Sequence, residues 1–287
     1  MTPRRVLIRA LDRRGRRKIL GMLATWYARR QTGNDVSVFY DAGWIHRMGR
    51  DYILDQPHFT LRANHVTKWD SAYRSLVANV RDYWFFVYKP ARGHVILDVG
   101  AGIGVDTAVF SRSVGENGRV FAIEAHPLTF RRLQRQCKWN ALDNVIACQC
   151  AIMKNRANVY VSDRQDDELN TVSYIQDQEH QNKGIPSVSL DEFCADHGIA
   201  RIDFLKMNIE GGERFAIAGM KEIVSKVRHL CIACHDFKAT EGRHSRTKAA
   251  VIEFLRESGF HIVRREDDPR PFVRDHVHGF REACRRS

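Results

Sequence analysis

The sequence predicts an α/β fold, a mostly parallel sheet with helices on both faces, carrying a helical N-terminal extension. Three observations predict it. From residue 95 onward short β-branched runs alternate with amphipathic stretches, the sequence form of βαβ units. The apolar run Val95-Ile96-Leu97-Asp98-Val99 passes directly into Gly100-Ala101-Gly102-Ile103-Gly104 and then into a helical pattern. The first 90 residues show neither feature; they are rich in arginine and then in aromatics.

Taken in order, residues 1–34 form a basic arm, with Arg4, Arg5, Arg9, Arg13, Arg14, Arg16, Arg17, Lys18, Arg29 and Arg30 against the single acid Asp12. Ile19, Leu20, Leu23, Trp26 and Tyr27 recur there at helical spacing, so a short amphipathic helix is expected. It can dock on the main domain, the preferred reading, or lie on an anionic membrane or nucleic acid. Residues 35–90 carry aromatics without a clean period and are expected to be a helical, partly irregular cap that packs rather than stacks on bases. Residues 91–287 hold the sheet domain. Its strands are expected at 95–99, 119–123, 145–150, 202–207, 229–234 and 260–264, with a further strand at 157–161. Its helices are expected near 105–114, 127–140, 212–227 and 246–258. Pro127 suits a first helical turn, and Gly259 a helix stop. The polar stretch 163–185 reads as a long loop beside the site.

Composition narrows the classes. With 287 residues, 44% hydrophobic and 28% charged, the chain suits one substantial globular domain with appendages, and is not a disordered or collagen-like polymer. No apolar run reaches the roughly 18 residues that span a bilayer, and the arginine-dense start lacks the apolar core of a secretory signal. The expected location is cytoplasmic, with a second reading at the inner face of a membrane. A net charge of +12 and a pI near 9.6 favour anionic partners without choosing among them. Seven cysteines, odd in number and mostly in apolar runs, are expected to be reduced thiols.

The glycine turn carries the chemistry. Glycines are needed where the backbone bends sharply and lies against a ligand without a Cβ in the way. A dinucleotide fingerprint would place its third glycine at 105, which is Val105; the spacing here is G-x-G-x-G. Asp98, just before the turn, would repel a pyrophosphate but attract the ammonium of an amino-acid moiety. Both details favour S-adenosylmethionine over a nicotinamide cofactor. Glu124 ends the second strand 20 residues beyond Gly104, where a carboxylate can accept both ribose hydroxyls. The candidate cofactor-binding set is Asp98, Gly100, Ala101, Gly102, Gly104, Thr107, Glu124, Ala125, Ala151 and Asn208.

Residues 95–124, then Ser189-Leu190-Asp191-Glu192, then Lys206-Met207-Asn208-Ile209-Glu210-Gly211-Gly212-Glu213 resemble the FkbM family of S-adenosylmethionine-dependent methyltransferases. The resemblance covers about residues 90–265. It implies a Rossmann-like class I methyltransferase fold, with a seven-stranded sheet, acting on hydroxyl oxygens of sugars, glycolipids or secondary metabolites. Residues 91–287 would then be the methyltransferase domain. Three positions depart from the family pattern. Gly102 replaces an Asn, Asn208 replaces an Asp and so weakens any case for a divalent metal, and Ala233 stands where an acid often precedes the retained His235.

An alcohol acceptor needs a base, and ligands of open α/β sheets gather beyond the carboxyl ends of the strands. That places Asn208, Glu210 and His235 as catalytic candidates. His235 leads because imidazole titrates near neutral pH, although a strand-end histidine can also be structural. Glu210 and Glu213 can instead complement a helix start, and mid-strand Lys206 can pair with a buried acid. No metal is expected: Cys231-Ile232-Ala233-Cys234-His235 matches a haem-attachment spacing, but on a strand residues three apart face opposite ways. Cys148 and Cys150 have no histidine nearby in sequence, and Asp166, Asp167 and Glu168 read as a solvated loop. The leading function is O-methylation of a small-molecule or glycan acceptor. An RNA methyltransferase, motivated by the charge, and a noncatalytic membrane- or partner-binding adaptor, motivated by Asn208 and Ala233, are the alternatives.

Overall fold

A computed structural model describes residues 10–13, 15–41, 43–54, 61, 69–161, 172–174, 184–238 and 246–281. The extension opens with helix α1 (Arg17–Thr32), as its apolar spacing predicts. The segment after it is not the helical cap expected for 35–90. Residues 36–54 form an antiparallel meander of β1 (Val36–Tyr40), β2 (Trp44–Met48) and β3 (Asp51–Leu54), and only then comes helix α2 (Trp69–Tyr83). The cause is a period-2 alternation hidden among the aromatics: Val36 and Val38 are buried while Ser37 and Phe39 are not. Leu20, Ala24 and Ala28 of α1 pack with Val36, Val38 and Trp44 in a small core of their own. The approach is close, since a Cβ on Gly21 would meet the Val38 carbonyl at 2.8 Å. As expected, these aromatics pack: Trp44, Trp84, Phe85 and Tyr88 are all buried.

The main domain runs β4 (Val95–Val99), α3 (Val105–Val114), β5 (Arg119–Ile123), α4 (Pro127–Trp139) and β6 (Val145–Cys148). The chain continues through β7 (Ala151–Ile152), β8 (Ala157–Val161), β9 (Val172–Tyr174), β10 (Ile185–Val188) and α5 (Leu190–Asp196). After these come β11 (Ile202–Met207), α6 (Glu213–Ile217), β12 (Val227–Ala233), α7 (Lys248–Glu257), β13 (His261–Arg264), α8 (Pro271–Arg274) and β14 (His276–Phe280). Seven strands form the central sheet in the order β13-β14-β12-β11-β4-β5-β6. β12, β11, β4, β5 and β6 are mutually parallel, and β14 runs antiparallel to both of its neighbours. This is the Rossmann-like class I methyltransferase fold. The order reverses between β4 and β11, which makes the crevice above those two strands the natural ligand site.

Side chains alternate across the sheet. Leu97, Val99, Leu205, Met207, Leu230 and Ile232 enter one core with α5 and α7, while Ile96, Phe204, Cys231 and Ala233 enter the other with α2 and α3. Three expectations change. The helix expected over 212–227 is broken into α6 and a short 3-10 turn at Ile223–Lys226. Gly219 lies so close that a Cβ would meet the Met153 carbonyl at 2.5 Å, and Asp191 accepts the backbone N–H groups of Lys221, Glu222 and Ile223, capping a second, separate turn. β6 stops at Cys148 because Ala151 and Ile152 leave for a four-stranded sheet, β7-β10-β8-β9. The segment 163–185 lies mostly outside the described residues, although Val172–Tyr174 within it pairs with β8. Ser189 caps α5 through a reciprocal bond set with Glu192, as its Ser-x-x-Glu pattern dictates.

Candidate active site

The turn after β4 is held from three sides. The N–H groups of Gly100 and Ala101 both donate to the Ile123 carbonyl at the end of β5, at 2.9 and 3.0 Å, and Asn208 N–H donates to Val99 O at 3.0 Å. Each glycine answers a different demand, and all three have positive φ. A Cβ on Gly100 would sit 2.0 Å from the Asn208 carbonyl oxygen, and one on Gly104 would sit 2.6 Å from Leu133 Cδ1. A Cβ on Gly102, at φ 58°, would meet nothing within 4 Å. Gly102 is therefore the residue whose bare backbone faces open space.

Glu124 stands directly across that space. One carboxylate oxygen accepts Gly102 N–H at 2.9 Å and the other accepts His126 N–H at 2.8 Å. Each oxygen has a second lone pair for a hydroxyl. Burial pushes the Glu124 carboxyl up, and the two backbone N–H groups oppose that rise. Beyond it, Ala125 and Ala151 fall in one apolar cluster with Met153, Val159 and Ile185.

Asp98 is placed differently from expectation. It is fully buried, with one oxygen 2.8 Å from Lys206 Nζ and the other accepting the Thr107 hydroxyl at 2.6 Å. A buried carboxylate needs such partners, and both of its oxygens are already turned to protein groups. Asp98 and Thr107 thus brace the turn from beneath. Lys206, which pairs with a buried acid as its mid-strand place allows, completes the brace: its ammonium also donates to the Gly100 carbonyl at 2.6 Å. Asp106, also missed, accepts Trp84 Nε1–H at 2.9 Å in the first turn of α3. An aspartate two residues past the last glycine was the signal that could have found it.

Beyond β11 and β12 the other candidates converge. His235 Nε2 lies 3.2 Å from a Glu210 carboxylate oxygen, and its Nδ1 lies 3.8 Å from Glu213. Glu210 and His235 both take left-handed backbone conformations, φ 53° and 54°, a strain concentrated at functional sites in folded proteins. Burial works to lower the His235 pKa, but the hydrogen bonds and charges of Glu210 and Glu213 outweigh it and carry it up to about 9. His235 is thus an imidazolium at neutral pH, not the near-neutral imidazole expected. Glu213 is fully buried, accepting Gly211 N–H at 3.2 Å and the Thr247 hydroxyl at 3.2 Å. It positions the neighbouring loop. The Asn208 side-chain oxygen is buried at the turn with no hydrogen-bond partner.

These features fit a nucleoside that carries an amino-acid group: open space at Gly102, a carboxylate opposite for a diol, an apolar patch for a base, and an orphaned acceptor at Asn208 for an ammonium. The decoys separate cleanly. Cys231 and Cys234 lie in the cores on opposite faces of the sheet, as strand geometry requires. Six cysteines among the described residues are free. Cys148 Sγ does lie 3.6 Å from His197 Nε2, a neighbour that sequence distance concealed. The donors of Cys231, His276 and His278 gather within 4.8 Å of one another. Asp166, Asp167 and Glu168 lie outside the described residues.

Sheet order and turn together define a class I methyltransferase, with S-adenosylmethionine as its cofactor. The chain belongs to the FkbM methyltransferase family, whose "Methyltransferase FkbM domain" matches residues 98–262. A relative from Sinorhizobium fredii (strain NBRC 101917 / NGR234), the 2-O-methyltransferase NoeI, is 26% identical over 166 residues, 52% of this chain and 66% of that protein, just under two thirds of its length. A putative rRNA methylase of Clostridium thermocellum superposes with a TM-score of 0.44 at 14% identity, covering 75% of this chain and 97% of that one. Aeropyrum pernix fibrillarin bound to S-adenosyl-L-methionine superposes with a TM-score of 0.42 at 16% identity, covering 88% and 83%. These two likenesses add nothing to the strand order.

Proposed function

We propose that this methyltransferase is O-directed, transferring its methyl to a hydroxyl of a carbohydrate, glycolipid or related small molecule. The observation that carries the reading is the Glu210–His235 pair, held in strained backbone at the carboxyl ends of β11 and β12. When bound, S-adenosylmethionine supplies a methyl on a sulfonium, electrophilic enough that the protein's work is alignment and removal of a proton. His235, in the fraction of molecules whose ring has released a proton to solvent, takes the proton of the acceptor hydroxyl, and the Glu210 carboxylate, 3.2 Å from the ring, stabilises the imidazolium that re-forms. Asn208 and Glu124 orient the cofactor from either side of Gly102. The relative named as a 2-O-methyltransferase supports oxygen as the acceptor atom.

The test is transfer from a methyl-labelled cofactor to separated glycan, glycolipid and RNA fractions, with mass spectrometry and NMR locating the label. Label on a hydroxyl oxygen of the first two fractions is expected. Label confined to RNA would replace the acceptor class, and no turnover in any fraction despite cofactor binding would favour the adaptor.

A further inference from the structure

Helix α1 has two apolar faces, and only one is used by the fold. Leu20, Gly21, Ala24 and Ala28 are buried. On the opposite side Ile19, Met22, Leu23 and Trp26 stand 55%, 66%, 51% and 61% exposed. Their spacing of i, i+3, i+4 and i+7 makes one continuous stripe along the outer surface of a 16-residue helix. Clustered exposed apolar side chains of this size mark a binding surface on a folded protein. Cations frame the stripe: Arg16, Lys18, Arg29 and Arg30 are all exposed. Beside it, an open groove of about 960 Å³ between α1 and β1 is lined by Arg17, Lys18, Trp26, Arg29, Arg30 and Tyr40, and among the described residues no acidic side chain lines it. Asp12 and Asp35 pair with Arg17 and Arg29, which leaves the first thirty residues, with ten cations to one acid, strongly positive.

We infer that the outer face of α1 and this groove seat the protein on an anionic phospholipid bilayer, with Ile19, Met22, Leu23 and Trp26 among the acyl chains and the flanking cations on headgroup phosphates. An apolar stripe bordered by Arg and Lys on a helix that does not span is the physical form of an interfacial anchor. No helix among the described residues is long and apolar enough to cross a membrane. Nucleic acid would satisfy the cations but offers nothing to three adjacent aliphatic side chains, so the bilayer fits both halves of the surface. The meander that carries α1 also packs Ile45 against Ile103 of the glycine turn, so the active site would be held at a set height above the lipid. The inference does not depend on the acceptor proposed above.

The test is co-sedimentation of the full chain with phosphatidylcholine vesicles and with vesicles containing one quarter phosphatidylglycerol. Binding to the anionic vesicles only is expected, falling steeply with salt. Lys18→Ala with Arg30→Ala should weaken it on the order of 30-fold, at about fivefold per cation near an anionic surface. Leu23→Asp with Trp26→Asp should abolish it, while circular dichroism and calorimetric cofactor affinity stay unchanged because the stripe is outside the fold's cores. No binding to anionic vesicles at low salt would overturn the inference. So would vesicle binding indifferent to Leu23→Asp with Trp26→Asp, tighter binding of single-stranded RNA through the same residues, or a wild-type dimer that these substitutions convert to monomer.

Discussion

Replacing Glu210 with Gln isolates the group that sets the protonation of His235. Burial alone would hold this histidine below its ordinary 6.5, yet it stands at about 9. That rise corresponds to about 3 kcal/mol of preference for the imidazolium, and Glu210, at 3.2 Å against 3.8 Å for Glu213, supplies the closer contact. Glu210→Gln keeps the shape and removes the charge, so the midpoint should drop toward or below 6.5. The linkage has a definite sign. With a folded pKa above the unfolded one, the pair stabilises fully below pH 6.5 and the contribution is lost as pH rises through about 9. The assay is an NMR titration of the His235 ring, identified among 13 histidines by the signal that His235→Asn removes. The rising limb of kcat/KM against pH should move downward with the same midpoint. A titration unchanged by Glu210→Gln, or a pH–rate limb that stays near 9 while the ring midpoint falls, would refute the assignment.

Gly102→Ala, whose Cβ meets nothing within 4 Å, should cost about 1 kcal/mol for a Cβ at positive φ and keep cofactor binding measurable by calorimetry, whereas Gly100→Ala, blocked by the Asn208 carbonyl, should fail to fold. Lys206→Met leaves Asp98 buried and unpaired and should destabilise by about 3–5 kcal/mol in urea, with Asp98→Asn added to it recovering part of the loss. Burial holds His276 down to about 4 and His278 down to about 3, so both are neutral when folded. Unfolded imidazoles bind protons first as pH falls below 6.5, and stability measured by denaturant should decline between pH 6.5 and about 4, by roughly 3 kcal/mol from His276 alone; a flat profile there would count against buried neutral rings.

The sheet was legible because its residues obey local rules: β-branched runs, a glycine turn and a proline at the start of α4 each act over a few residues. β14 was not, because His276-Val277-His278-Gly279-Phe280 reads as polar, and its histidines are covered by tertiary partners, His276 stacked on Trp84 at 4.7 Å and His278 against Phe86 at 5.4 Å. The meander was not, because the alternation of Val36 and Val38 is only two residues long and lies among aromatics of no fixed period. In the site, the position of Glu124 and the convergence of Glu210 with His235 followed from strand ends. That the acid paired with Lys206 is Asp98, 108 residues away and also held by Thr107, could not follow, since charge pairing across a sheet depends on register. The protonation of His235 was missed for the same reason: two carboxylates from another strand end decide it.

The contact between Ile45 and Ile103 has a practical corollary. A shortened protein beginning at residue 91 would keep every matched family residue but strip an oily neighbour, and the bonds from Gln136 and Asn140 to Tyr52, from the back of the glycine bend. The extension therefore behaves as a fitted collar on the catalytic module, and grafting the module elsewhere without it would loosen the very loop on which cofactor capture depends.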